Sequence, residues 1–250
     1  MVHRRLASIA LGFALALAAA SPAVADRAPV VVELFTSQGC NSCPPADAYL
    51  GKLAKRADLV ALSLHVDYWD YIGWKDPFAS RKNTQRQRAY AHALNRSYVY
   101  TPQMVVQGHY DVRGNNMAAV EKAIDAARAE PSLAIEIEDR GDGGVLVRLP
   151  AATYEGRATI WLAGYDRKHT TPIHRGENAN KTLNNYNVVR VLTPIGTWTG
   201  AAMEIPVSLA GMTEKAVDGC AVIVQPDGMG RILGAAVLDL APEPKPRYRR

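Results

Sequence analysis

Cys40 and Cys43 stand three positions apart in the stretch TSQGCNSCPPAD, residues 36–47 of this 250-residue chain. A C-x-x-C pair has three common uses: exchanging a disulfide with thiols of another molecule, supplying half of a tetrahedral metal site, or closing a short structural disulfide. A cysteine just ahead of a helix meets unpaired backbone N–H groups and the positive end of the helix dipole, and both favour the thiolate. In that arrangement Cys40 is the nucleophile. Cys43, one turn further on, is the resolving residue that attacks a mixed disulfide on Cys40. A metal site needs further soft or imidazole ligands, for which His65 and His109 are the candidates, with copper or zinc as the ion. A structural disulfide over this spacing closes a short loop and constrains little of the unfolded chain. Exchange is the leading reading; it needs no cofactor and no metal.

The elements around the pair follow from hydrophobic period and punctuation. Residues 30–35 (VVVELF) and 59–66 (LVALSLHV) are apolar runs of strand length, and residues 40–56 carry helical spacing between them. An aromatic loop, YWDYIGWKDPF, leads to a polar helix over residues 78–94. Residues 103–107 and 109–113 read as two strands joined tightly at Gly108, and residues 116–129 as a helix ended by Pro131. The predicted order is strand, helix, strand, helix, strand, strand, helix.

From Ser132 onward the texture changes to short alternating runs. LAIEIED and GVLVRLP flank R-G-D-G-G as a hairpin, and RATIWLAGYD, AMEIPVSL, CAVIVQP and ILGAAVLDL are further strands. That pattern predicts an all-β, sandwich-like domain over residues 131–241, with residues 167–190 as a long polar arm that either clasps the neighbouring domain or reaches across to the Cys40 face. Residues 242–250 read as a disordered tail.

The N-terminus has a basic start, an apolar run of about fifteen residues and an A-x-A signal ending at Ala25, the pattern of a cleaved signal peptide over residues 1–25. The expected location is therefore periplasmic or secreted, with a mature form that does not span a membrane. Export places the cysteines where thiols are driven toward disulfides. The chain's third cysteine, Cys220, then lacks an intramolecular partner and is expected to fill a buried strand as a small apolar residue. Of 29 basic and 24 acidic residues, the segment before Asp26 holds Arg4 and Arg5 and no acid, which leaves a net charge of about +3. So mild a balance does not argue for nucleic acid.

With its order of elements, this C-x-x-C resembles the thioredoxin superfamily. Thr101-Pro102 before the third strand agrees, since it matches the cis-proline that faces the C-x-x-C and helps hold a substrate peptide there. The chain is also similar to a family of bacterial exported proteins of uncharacterised function, marked by VELFTSQGCxSCPPAD (32–47), HVDYWDYxGWKDPF (65–78) and NVVR (187–190). The resemblance implies an α/β thioredoxin-like domain over residues 28–130 followed by the all-β domain. Catalysis then falls to Cys40 and Cys43, with Thr101 and Pro102 seating the substrate. Glu33 is similar to the strand acid that lies under the active site of oxidase-type relatives, where it relays a proton to the resolving cysteine; the other reading is an edge-exposed or hydrogen-bonded Glu with no part in exchange. His65, Asp67, Trp69 and Trp74 are candidates to line a substrate groove, or equally to form a lid core that never meets substrate, with His65 as a hydrogen-bonded structural residue. The expected partners are protein thiols or disulfides of the cell envelope. The opposing reading is a non-catalytic thioredoxin-like binding protein, or a metal carrier, using the same cysteines.

Overall fold

The computed structural model describes residues 28–213 and 217–240, so the expected signal peptide and tail lie outside the described residues. Val30–Thr36 form β1 and Leu59–His65 form β2, parallel from Val30↔Leu59 to Thr36↔His65. Both strands are buried along their whole length, which explains their lack of polar alternation. Between them α1 covers Pro44–Leu53, shorter than its periodicity predicts, because Pro44 and Pro45 occupy the first two helical positions and fix the start at Cys43. A 3-10 turn at Asp70–Ile72 precedes α2 (Arg81–Ala93), capped by Ser80 Oγ accepting from the Lys82 amide. β3 (Gln103–Val106) and β4 (Tyr110–Arg113) form a hairpin, and α3 (Met117–Arg128) starts at an Asn116 cap.

The second half supplies β5 (Glu136–Asp139), β6 (Gly144–Leu149), β7 (Ala158–Pro172), β8 (Thr182–Trp198), β9 (Met203–Ser208), a short α4 (Ala210–Thr213), β10 (Gly219–Pro226) and β11 (Gly234–Asp239). The sheets they build overturn the expected α/β thioredoxin-like domain followed by an all-β sandwich. The protein is mostly β, with one mixed eight-stranded sheet in the order β11-β10-β7-β8-β2-β1-β3-β4 and a three-stranded sheet β5-β6-β9.

The cause is β8. The arm over residues 167–190 is not a loop; β7 and β8 pair antiparallel out to Pro172↔Thr182, leaving only residues 173–181 as the tip. Val188 of β8 then pairs in parallel with Ser63 of β2, joining strands from both halves into one sheet. One buried cluster accordingly takes Val31, Phe35, Leu62 and Leu64 together with Tyr165, Val189, Ile223 and Ile232. On the opposite face of β1, Val30, Val32 and Leu34 pack with Leu50 and Leu53 of α1 and Ile124 of α3. A third cluster lies between the two sheets and includes Cys220, which is fully buried, its thiol pushed up to about 11 by burial.

Candidate functional site

Cys40 and Cys43 form a disulfide with a Cα separation of 5.5 Å. Cys40 closes a turn, its amide donating to Ser37 O at 3.1 Å, and Cys43 occupies the N-cap of α1. The two prolines that follow have no N–H, and the next two amides, of Ala46 and Asp47, both donate to Cys43 O. No first-turn amide is therefore left over for a thiolate, contrary to the expectation for Cys40, and only the helix dipole remains, acting nearest Cys43. Ser42 Oγ lies 3.3 Å from Cys40 Sγ. Asn41 and Ser42 are exposed, whereas Cys40 and Cys43 are 1% and 0% exposed.

The cover comes from the tip of the β7–β8 hairpin. Asn178, itself buried, donates from Nδ2 to the carbonyls of Gln38 and Cys40, each at 2.9 Å, and Glu177 accepts from the Asn41 amide at 3.3 Å. Gln38 ties the same turn to β7 and β8 by donating to Thr171 Oγ1 and Asn185 Oδ1. The two readings of this arm meet here, since the residues that clasp the first half of the chain are those that bond to the cysteine turn.

Thr101-Pro102 is a cis peptide, and both residues line a cavity of about 660 Å³ with Ser42, Tyr98, Tyr100 and Arg113. Pro102 therefore sits beside the cysteine turn. The aromatic loop leaves Tyr71 82% exposed but anchors others of its side chains by inward hydrogen bonds. Trp69 Nε1 donates to Thr101 Oγ1 at 2.8 Å, Trp74 Nε1 donates to Gln38 Oε1 at 3.1 Å, and Asp67 accepts from Thr84 Oγ1 at 2.6 Å. His65 is fully buried with Nδ1 2.6 Å from Asp76 Oδ2, and Asp76 also accepts from the Gln38 amide. Trp74 and, through Asp76, His65 tie the loop to the cysteine turn, Trp69 ties it to Thr101, and Asp67 ties it to α2.

Glu33 is buried on the other side of the sheet. It shares a face with Val31 and Phe35 and points toward α2, whereas α1 packs on the face of Val32 and Leu34. Its carboxylate is paired with Arg86 at 2.6 and 3.0 Å and also accepts from Tyr90 Oη, so it holds a buried ion pair and does not approach Cys43.

The acid on the cysteine side is Asp47, the last residue of the TSQGCNSCPPAD stretch, to which residue type and spacing alone assign no role. It follows Cys43 by one helical turn, and a helical side chain leans back over the preceding turn. Thr36 Oγ1 donates to its Oδ1 at 2.8 Å. Burial pushes its carboxyl up to about 7 against the opposing pull of His65 and the Thr36 bond. His65 itself is raised: burial works against its charged form, but Asp76 and Asp47 outweigh it. Asp47 Oδ2, Ser63 Oγ, His65 Nε2 and Asn185 Nδ2 are buried there without a hydrogen-bond partner among the described residues. Nothing local in the sequence marks this cluster, because its members come from α1, β2 and β8.

His109 lies apart from the cysteines, with Nε2 3.0 Å from Glu130 and Nδ1 3.1 Å from Gln107 O. Among the described residues no three His, Cys, Asp or Glu side chains converge on a point that could hold a metal ion.

Comparison with known proteins places this arrangement without assigning it a reaction. The crystal structure of protein AGR_C_4864 from Agrobacterium tumefaciens superposes with a TM-score of 0.75 at 35% identity, over 84% of this chain and 93% of that one. HBP35 of Porphyromonas gingivalis superposes with a TM-score of 0.59 at 12% identity, over 90% of this chain and 79% of that one, a likeness of fold alone. No curated protein matches. A family profile described as protein of unknown function (DUF1223) matches residues 31–225, and the chain belongs to that family.

Proposed function

We propose that this protein is an exported thiol–disulfide oxidoreductase acting on proteins of the cell envelope through Cys40 and Cys43. The observation that carries the reading is the 40–43 disulfide at the start of α1, with a buried carboxyl one turn away held near neutrality. A thiolate of the partner attacks Cys40 Sγ and breaks the 40–43 bond. The electron pair leaves on Cys43 Sγ, which takes the proton of Asp47. A second partner thiolate attacks the sulfur it shares with Cys40, forming the partner's disulfide and releasing Cys40 as a thiolate. The partner dithiol is oxidised and the 40–43 pair reduced, two electrons each. The reverse sequence reduces a partner disulfide, with Asp47 taking the Cys43 proton.

Burial of both sulfurs favours a second reading, a non-catalytic binding protein whose 40–43 bond is permanent. Redox equilibration separates the two. The protein is held in glutathione buffers of graded potential, quenched by alkylation, and its thiols at 40 and 43 are counted by mass. Exchange requires a midpoint within the glutathione range and a Cys40 thiol of lowered pKa in the reduced form. A bond that stays closed throughout that range makes the protein a binder.

A further inference from the structure

Helix α2 has an unusual charge. Its sequence, RKNTQRQRAYAHA, contains no acid. Arg81, Gln85, Arg88 and His92 recur at spacings of four, three and four, which puts them on one exposed stripe roughly 16 Å long. Arg81 and Lys82 stand in the first turn, where the helix dipole disfavours cations, and among the described residues no carboxylate pairs with either of them or with Arg88. Such an uncompensated departure from local preference is what a surface kept for a partner shows.

The stripe leads somewhere. Arg88 and His92 line a cavity of about 470 Å³ with Arg96, Ser97 and Tyr98. Arg96, Ser97 and Tyr98 also line the cavity of about 660 Å³ that ends at Ser42, Thr101 and Pro102. The two adjoin at these residues, a trough in two parts between α2 and the cysteine turn. Tyr98, 65% exposed, and Tyr100 stand in it with ring centroids 6.1 Å apart. Asp111 is the one acid lining it, and it is buried and consumed by Arg96, Tyr100 and Gln103. Arg113 on the far wall is exposed and adds another cation.

We infer that the α2 stripe and this trough dock an extended, acidic polypeptide segment carrying an aromatic side chain, belonging to the protein whose thiols meet the 40–43 bond. The inference rests on the exchange reading only for that last clause. A polypeptide is favoured over a membrane surface, since the exposed face of α2 offers only Ala89 and Ala93 as apolar contacts and the cations continue past it to Arg113 beside the cysteine turn. The partner's acidic side chains pair with Arg81, Arg88 and Arg113, its aromatic ring stacks on Tyr98, and the chain runs on to Ser42.

The test is fluorescence anisotropy of a labelled, cysteine-free acidic peptide containing one tyrosine, titrated with the full oxidised protein. Binding is expected to weaken at least about tenfold between low and physiological salt, and by a similar factor in the double substitution Arg81→Glu/Arg88→Glu, while Arg140→Glu on the other sheet leaves it unchanged. A peptide with Gln in place of its acids should not bind. Equal binding of the Gln peptide, or of the double variant, overturns the inference. So does capture of phosphatidylglycerol vesicles that depends on Arg81 and Arg88 in the absence of peptide binding. Because the peptide carries no thiol, its binding stands even if the 40–43 bond proves inert, and active exchange with no peptide binding defeats the docking surface alone.

Discussion

The side-chain amide of Asn178 donates to the main-chain carbonyl of Cys40 at 2.9 Å, so the tip of the β7–β8 hairpin seals a turn 138 residues before it. The same Nδ2 serves Gln38 O, and Asn178 Oδ1 is itself held by Lys181 Nζ at 3.0 Å. Local opening of residues 173–181 would therefore release the cysteine turn from one of the elements that hold it.

Asn178→Ala removes both donors, leaving Gln38 O without its partner and Cys40 O with only the Cys43 amide at 3.3 Å, a cost of about 1–3 kcal/mol that falls on the closed state. Reduction of the 40–43 bond by dithiothreitol should accelerate by about tenfold or more, one factor of ten for each 1.4 kcal/mol of opening free energy. Stopped-flow thiol release reads this directly. An unchanged rate would mean that some other motion uncovers the sulfurs.

Asp47 makes stability depend on pH in a definite direction. Its folded pKa, about 7, lies above the ordinary carboxylate value of 3.8, so the folded state binds the extra proton. The contribution is fully present below about pH 4 and lost as pH rises through 7, by on the order of 4 kcal/mol. Asp47→Asn keeps an acceptor for Thr36 and carries no charge. The variant should therefore gain stability relative to the parent between pH 4 and 8, read as the difference in urea midpoints, which cancels the titration of other acids. In the same variant, exchange should slow and lose its pH inflection near 7. A parallel pair of stability curves would remove Asp47 from the titration.

Most strands of this fold are legible because each is a local apolar run between turn residues, as in residues 30–35 and CAVIVQP. β8 is not. TLNNYNVVRVLTPIGTW reads as polar and irregular, because its order comes from backbone pairing to β7 and from one parallel step onto β2, 125 residues earlier at Ser63↔Val188. Missing that strand divides one eight-stranded sheet into two domains. The facing of Glu33 is hidden for a related reason: a strand buried on both sides shows no alternation, so its sequence does not tell which core receives the odd-numbered side chains. The cysteine pair, its helix start and Pro102 were readable because their chemistry sits in short contiguous motifs. The Asp47 cluster required the fold.

Glu33 offers a check on that facing. Glu33→Gln leaves the Arg86 guanidinium buried without a carboxylate, and should cost about 3–5 kcal/mol in chemical denaturation. Exchange per folded molecule should hold its rate. The opposite pattern, intact stability with lost exchange, would restore a proton relay through Glu33.

Gly51 tests whether α1 is clamped by the hairpin. In an isolated helix Gly→Ala stabilises by about 1 kcal/mol. Here a Cβ at Gly51 would stand 2.6 Å from Cδ2 and Cε2 of the Tyr186 ring on β8, well inside contact distance. The ring must shift, and overpacking of this kind costs about 1–3 kcal/mol, so the sign should reverse and Gly51→Ala should lower the melting temperature. Removing the ring removes the conflict. In the Tyr186→Ala background the same substitution should recover its helical gain of about 1 kcal/mol, a coupling that a double-mutant cycle isolates. Because α1 carries Cys43 at its cap, the single variant should also loosen the cover and reduce faster with dithiothreitol. If Gly51→Ala stabilises in both backgrounds, β8 does not press on α1, and the hairpin's hold on the cysteines must come from residues 173–181 alone.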